Sequence, residues 1–385
     1  MTVLVTGADG YVGWPTCLRL ARRTDERVVA VDNGERRGWV DDSGSVSATN
    51  IDTPEKRFDA EPNLSFVRGD VSDRGFVKKL VDVHEPDTVL HTAAQPSAPY
   101  SGINGERALY TQQNNVSMSV NLLWGLHEAG LDDTHFVETT TTGVYGAPEF
   151  PIPEGGFEVE REGGHDAVPF PNMAGSWYHV TKSFDAANMR LASNDWDMKT
   201  TDIRTAIVYG TETPETRETD LPTRFDFDYY FGTVVNRFCA QAVAGYPLTV
   251  YGKGEQRKPM VSLEDAVESL VRVVEEGHGG GVGETFEVYN QVTRPVAIVD
   301  LAHTISDVGD EFGLDAEVEH FENPREEDEE HKMEMDNDAF LELIGGQRRT
   351  LEEGVRQILD TLTQDGVRER VETHEDRFLP GVLQD

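Results

Sequence analysis

Cysteine is nearly absent from this chain of 385 residues; Cys17 and Cys239 are the only two. Two thiols cannot build a disulfide framework or a cysteine-based metal cluster. The sequence therefore implies buried, reduced thiols, a cytoplasmic setting and no metal. Long apolar runs are also missing. No stretch reaches the about 18 residues that a membrane helix needs, so no membrane span is expected. The short apolar start enters a glycine turn and does not read as a signal peptide. Lysine is scarce among the 34 bases, which face 71 acids, and the formal net charge is −37. Such a field excludes nucleic acid and anionic membranes as natural partners. The acids are spread along the whole chain, which suits a protein kept soluble when salt screens ordinary repulsion. The expected setting is a cytoplasm of high salt, as in a halophile.

What is present starts at the first strand. Val3, Leu4 and Val5 form an apolar run of the buried parallel kind. Gly7, Gly10 and Gly13 follow, then Leu18, Leu20 and Ala21 at helical spacing. Strand, glycine turn and helix are the context of a dinucleotide motif. Gly7 permits the tight turn, Gly10 a close approach to a pyrophosphate, and Gly13 close helix–strand packing. The helix start offers N–H groups to phosphates, which brings Asp9, Tyr11 and Val12 into the cofactor set. Residues 27–32 read as a second strand ending in Asp32, where an acid binds the ribose and repels a 2′-phosphate. NAD is expected over NADP. Asn33 follows, and Arg36 and Arg37 lie close enough to hold a phosphate.

The polar stretch 33–63 is long for a connection and holds a helix near 53–58. Residues 64–71 read as the third strand, with Asp70 and Val71 near the adenine. The fourth strand, 88–94, ends in Thr92, Ala93 and Ala94, where backbone passes the cofactor. Helices are expected at 76–83, 110–129 (with Asn114 beside the cofactor) and 177–191. Strands are expected from 135 and over 201–209, and 147–175 reads as a long excursion. This alternation argues a parallel sheet covered on both faces. Beyond Gly210 the alternation breaks down. Strands near 248–252 and 284–289 and helices near 234–244, 263–276 and 299–312 read as a smaller lobe with segments returning to the first. The expected fold class is α/β: a Rossmann-type doubly wound parallel sheet over 1–209 with a smaller, partly interleaved C-terminal α/β substrate lobe over 210–385.

Tyr178 and Lys182 are four residues apart and share a helix face. An ammonium beside a phenol favours the phenolate and lowers its pKa, so the pair suits redox acid–base work. Such pairs on exposed helices arise by chance. Here the hydroxyls of Thr139 to Thr142 end the fifth strand, where ligands of such sheets bind, and can orient the same substrate oxygen.

Glycine turn, terminal acid, strand-end hydroxyl and Tyr-x-x-x-Lys, in that order, resemble the extended short-chain dehydrogenase/reductase superfamily. Longer motifs are similar to the UDP-sulfoquinovose synthases: residues 7–16, 31–33 with Arg36-Arg37, Gln95 with 97–101, 110–112 with 114–116, and Tyr178-His179 with Lys182. Residues 231–233, 236–238, 247–254, 323–325 and 329–331 extend the likeness over most of the chain. The resemblance implies NAD in the first lobe and a UDP-sugar in the second. It implies that UDP-glucose is oxidised at carbon 4, loses water across carbons 5 and 6, takes sulfite at carbon 6 and regains the hydride.

Carried over, Thr141, Tyr178 and Lys182 form the catalytic set, with Tyr178 taking the carbon-4 hydroxyl proton. His179 would assist at carbon 5 or 6, against the plainer reading of a packed helix histidine. Gln95 would line the substrate site, and Thr249, Val250 and Tyr251 would meet the uracil. Arg325 would meet the diphosphate, with Asn323, Arg237, Gln256 and Lys258 nearby. A homodimer through the helices at 110–129 and 177–191 is also implied. The chain departs from the family pattern at Ala94, Pro96, Val144 and Lys258. Residues 141–146 lack the Asp-Glu pair of sugar 4,6-dehydratases, and a UDP-hexose 4-epimerase stays open as the alternative.

The charge balance predicts a melting temperature that rises with added KCl, read by circular dichroism. A maximum in the absence of salt would overturn the high-salt assignment.

Overall fold

In the computed structural model, which describes residues 1–170, 172–277, 285–322 and 332–379, the apolar runs become strands of one central sheet. The first half alternates β1 (Thr2–Thr6), α1 (Gly13–Arg23), β2 (Arg27–Asp32), α2 (Glu35–Asp42), α3 (Pro54–Phe58), β3 (Leu64–Arg68), α4 (Arg74–His84) and β4 (Thr88–His91). It continues with α5 (Ala98–Ser101), α6 (Gly105–Glu128), β5 (His135–Thr141), β6 (Gly156–Arg161), β7 (Gly164–Pro169), α7 (Trp177–Trp196) and β8 (Thr200–Thr205). The second half adds β9 (Ile207–Tyr209), α8 (Pro214–Thr219), α9 (Val234–Ala244), β10 (Leu248–Tyr251), β11 (Arg257–Ser262), α10 (Leu263–Glu276) and β12 (Phe286–Gln291). It ends with β13 (Arg294–Ala297), α11 (Ile298–Asp310), β14 (Val318–Phe321), α12 (Asp338–Ile344), α13 (Leu351–Leu362) and α14 (Asp365–Thr373).

The central sheet has the order β12-β8-β5-β4-β1-β2-β3, with every neighbouring pair parallel. The chain starts in the middle and winds outward in both directions. Strand order therefore reverses between β1 and β4, and ligands of such sheets bind beyond the strand ends there. On one face, Trp14 and Leu18 of α1 pack with Val267 and Leu270 of α10 and Phe340 of α12. On the other, Leu4, Val89 and Phe136 of the sheet meet Val81 of α4, Leu122 of α6 and Met189 of α7. A separate cluster of Phe238, Val250, Leu301, Val355 and Ile358 forms the core of the second half. Two smaller sheets flank it, β13-β11-β9 and β10-β14.

Three expectations need correction. The segment 201–209 is not one strand. β8 stays in the central sheet between β5 and β12, whereas β9 pairs with β11. The alternating pattern hides this break because both halves are extended and buried, and only their partners change. The excursion 147–175 contains the hairpin β6–β7. Its turn residues Glu162 and Gly163 have φ of 52° and 82°, the left-handed pair that a tight hairpin turn requires. The polar stretch after Asp32 carries a second helix, α2, and the side chain of Asn33, just before it, accepts from the Glu35 N–H at 2.9 Å.

Candidate active site

The glycine turn lies against the end of β4. Gly7 has φ of 73°, and a Cβ on it would stand 2.5 Å from the Ala93 nitrogen. A Cβ on Gly13 would meet the Gly7 oxygen at 2.1 Å. These positions accept only glycine, and they bring bare backbone to the first turn of α1, as the cradle of a dinucleotide pyrophosphate requires. Val12 caps α1. Tyr11 uses its hydroxyl elsewhere, donating to the Gly210 carbonyl at 2.5 Å. Thr92 donates to the Thr6 carbonyl at 2.7 Å, which holds the end of β4 beside the turn.

Asp32 ends β2. Its carboxylate accepts the N–H groups of Asp9 at 2.9 Å and Gly34 at 2.7 Å. Burial raises its pKa against those two bonds. Both nearby arginines are committed to acids. Arg36 pairs with Asp226 at 2.6 Å and lies over the Phe231 ring. Arg37 pairs with Asp9 at 2.7 Å, and Arg57 reaches the other Asp9 oxygen at 2.7 Å. Arg36 and Arg37, which the sequence offers as phosphate holders, thus both face acids in the folded chain, which suits NAD. Asp70 accepts the Ser72 N–H at 2.8 Å and Val71 is buried. Asn114 donates to Asn115 at 3.1 Å.

At the C-terminal end of β5, Thr141 Oγ1 accepts the Gly143 N–H at 3.1 Å. The His179 imidazole packs on Gly143; a Cβ there would come within 2.4 Å of Nε2. His179 and Tyr178 open α7, capped by Ser176, and their rings lie 5.3 Å apart. Ser101 accepts the Tyr178 N–H at 3.2 Å, which ties α7 to α5. Thr141, Tyr178 and His179 thus gather at one strand end.

Lys182, one turn on, is buried, with Nζ 3.0 Å from Glu138 and 3.2 Å from Asp185. Burial works against its ammonium, but the two acids outweigh it and raise its pKa. The expected drop in the Tyr178 pKa is not found. Burial raises it, and Lys182 lowers it only in part because Asp185 and Glu138 oppose.

The sequence reasoning missed Glu138, Asp185 and His91. A charge in the middle of the apolar run of β5 was the available signal for Glu138. Asp185 lies seven residues past Tyr178, hence on its helix face. Asn115 was also missed as a site residue: it bonds the backbone of Gln95 on both sides and Thr181 of α7.

The substrate candidates are more scattered. Gln95 is buried and its Nε2 has no partner among the described residues. Gln256 Oε1 is in the same condition. Orphaned polar atoms of this kind are what a bound ligand satisfies. Thr249 and Val250 are buried in β10, and Thr249 gives its N–H to the Gln241 side chain at 3.2 Å. The Thr249 N–H is thus already bonded within the chain. Tyr251 follows at the end of β10, and its carbonyl accepts from Gln256 at 3.5 Å. Arg237 of α9 lies 5.9 Å from the Tyr229 ring, and Lys258 lies in β11. Asn323 and Arg325 lie outside the described residues, as do residues 329–331.

Comparison with known proteins agrees with this geometry. The pattern of the NAD dependent epimerase/dehydratase family matches residues 3–289. A UDP-sulfoquinovose synthase of Sulfolobus acidocaldarius is 38% identical over 369 residues, covering 94% of this chain and 92% of that protein. The chloroplastic UDP-sulfoquinovose synthase of Spinacia oleracea is 38% identical over 347 residues, 89% of this chain and 71% of that one. Among solved structures, UDP-glucose 4-epimerase of Thermotoga maritima with UDP-glucose superposes with a TM-score of 0.70 at 21% identity, over 94% of this chain and 98% of that one. The Bacillus cereus UDP-glucuronic acid 4-epimerase with UDP-glucuronic acid and NAD gives 0.69 at 20%, over 94% and 99%. The last two establish the shared fold. The chain is a UDP-sulfoquinovose synthase-like member of the NAD-dependent epimerase/dehydratase family.

Proposed function

We propose that this chain converts UDP-glucose and sulfite to UDP-sulfoquinovose. The observation that carries the reading is the meeting of Thr141, Tyr178 and His179 at the end of β5, beside a turn that admits only glycine. In this reading bound NAD would supply reversible hydride acceptance at carbon 4. Thr141 and Tyr178 bind the carbon-4 oxygen, and the Tyr178 phenolate takes its proton. Lys182 keeps the ammonium that favours this ionisation and would hold the nicotinamide ribose. The resulting 4-keto group acidifies the carbon-5 hydrogen; His179, fixed on Gly143, moves that proton. Water leaves carbon 6, sulfite adds there through sulfur, and carbon 5 regains a proton.

Residues 1–209 with β12 hold NAD, through Gly7, Gly10, Gly13 and Asp32. Residues 210–385 hold the nucleotide sugar, with Gln95 and Gln256 among its contacts. A cytoplasm of high salt fits the charge of −37. The second reading is a UDP-hexose 4-epimerase. Val144 is buried among Tyr145, Ile152 and Phe170, so position 144 brings no acid to the sugar. That reaction needs no sulfite.

The chain works as a homodimer in this reading. Leu109 and Trp124 of α6 and Trp177, Phe184 and Leu191 of α7 are exposed apolar side chains. The three on α7 recur every seven residues, and α6 and α7 pack side by side. A stripe of this kind on paired helices suits a second copy.

Mass spectrometry after incubation with UDP-glucose, sulfite and NAD is expected to find a product in which a sulfonate replaces one hydroxyl. UDP-galactose as the sole product would overturn the synthase reading. Gly143→Ala displaces the His179 ring, and turnover is expected to fall on the order of 100-fold, as for a misplacement near 1 Å; unchanged kcat would remove His179 from the mechanism. Sedimentation is expected to show a dimer that Phe184→Glu with Leu191→Glu converts to a monomer, and a monomeric parent would sink the dimer.

A further inference from the structure

Lys182 is surrounded by more negative charge than one ammonium can balance. The parallel registers place Thr6, His91, Glu138 and Asp202 in one row across β1, β4, β5 and β8. Glu138 and Asp185 are both wholly buried. Lys182 Nζ lies 3.0 Å from Glu138 Oε1 and 3.2 Å from Asp185 Oδ2. Both carboxyl groups therefore face the same ammonium.

The donors are few. From α6, Ser119 shares one O–H between the two Glu138 oxygens, 3.0 Å from each. Apart from Lys182, no donor among the described residues reaches Asp185. From β4, His91 stands with Nε2 3.9 Å from Glu138 and its Nδ1 2.6 Å from Thr6 Oγ1. Burial and Lys182 push the His91 pKa down to about 3, so it is neutral and brings no charge. From β8, Asp202 and Arg204 are paired at 2.9 Å and balance each other. Among the described residues, Tyr178 is the remaining ionisable group facing the cluster.

Two buried carboxylates would leave one charge uncompensated and one set of oxygens nearly without donors, a costly arrangement. A single proton between them removes both faults. It neutralises one carboxyl and supplies the missing donor to the other.

We propose that Glu138 and Asp185 share one proton at neutral pH and act as positioning residues that hold the Lys182 ammonium without adding net negative charge beside Tyr178. The titration direction agrees. Burial and the like charge of Glu138 raise the Asp185 pKa far above the usual carboxylate range, against the pull of Lys182. Loss of the shared proton at alkaline pH places a second negative charge near the phenol and opposes its ionisation. The cluster thus sets an upper pH bound on the work of Tyr178. The inference rests on Tyr178 as the proton acceptor and not on which sugar product forms.

Infrared spectra of the full chain across a pH titration test it without any substrate. The parent is expected to carry the C=O stretch of a buried carboxylic acid at neutral pH, and Asp185→Asn is expected to lack it. Glu138→Gln is expected to move the loss of that band toward acid by about one pH unit or more, since a like charge is gone. A parent without the band at neutral pH, or a band unaltered in both variants, overturns the proposal. During turnover, Asp185→Asn is expected to shift the alkaline limb of the kcat profile upward by about one unit. A limb that stays in place overturns it, because a merely structural carboxylate alters kcat without moving its pH dependence. Absence of a sulfonated product, with the band present, tells against the synthase reading alone.

Discussion

The arrangement depends on a turn that has no room for a side chain. On one side Gly7 sits against the backbone of Ala93 at the end of β4. On the other, the same turn is tied to the second half of the chain. The Tyr11 hydroxyl bonds Gly210, the Trp14 indole bonds the Leu221 carbonyl at 2.9 Å, and Thr223 donates to the Tyr11 carbonyl at 2.8 Å. The strand ends that carry Thr141 and the loops that follow β9 are thereby held at fixed distances from one piece of backbone. A single methyl group at Gly7 would press on the backbone of Thr92 and Ala93 at the end of β4.

The second constraint is electrostatic and lies one layer below. A lysine with 2% exposure survives only with acids at hand. β5 and α7 provide them, and the same two elements bear Thr141, Tyr178 and His179. The candidate reacting groups and the groups that compensate charge are therefore carried together, on elements packed against each other. Asn115 joins this assembly to the loop at Gln95, which links α7 to the end of β4.

Much of this was legible in the chain because it is local. The glycine spacing, the acid closing β2 and the four-residue step from Tyr178 to Lys182 are each written within a few residues. The parallel sheet covered on both faces followed from the alternation of strands with helices. What was illegible depends on partners distant in sequence. The break between β8 and β9 is a change of neighbour, not of conformation. The commitments of Arg36 to Asp226 and of Thr249 to Gln241 are made by folding alone. Glu138 and Asp185 lay in plain view but became a pair only when α7 settled on β5. The lowered Tyr178 pKa expected from spacing failed because spacing reports the nearby ammonium and not the burial or the acids behind it.

The salt bridges of Asp9 carry an evolutionary consequence. Its carboxylate holds two guanidiniums, of which Arg57 is wholly buried and stacked over Trp14 at 4.6 Å. Freeing Arg37 for a phosphate would require removing Asp9, and stripping one partner from such a buried pair costs about 3–5 kcal/mol. A lineage drifting toward NADP would first cross a region of unstable intermediates. Selection on folding alone would then preserve the choice of NAD, even in an era when nothing in metabolism demanded it.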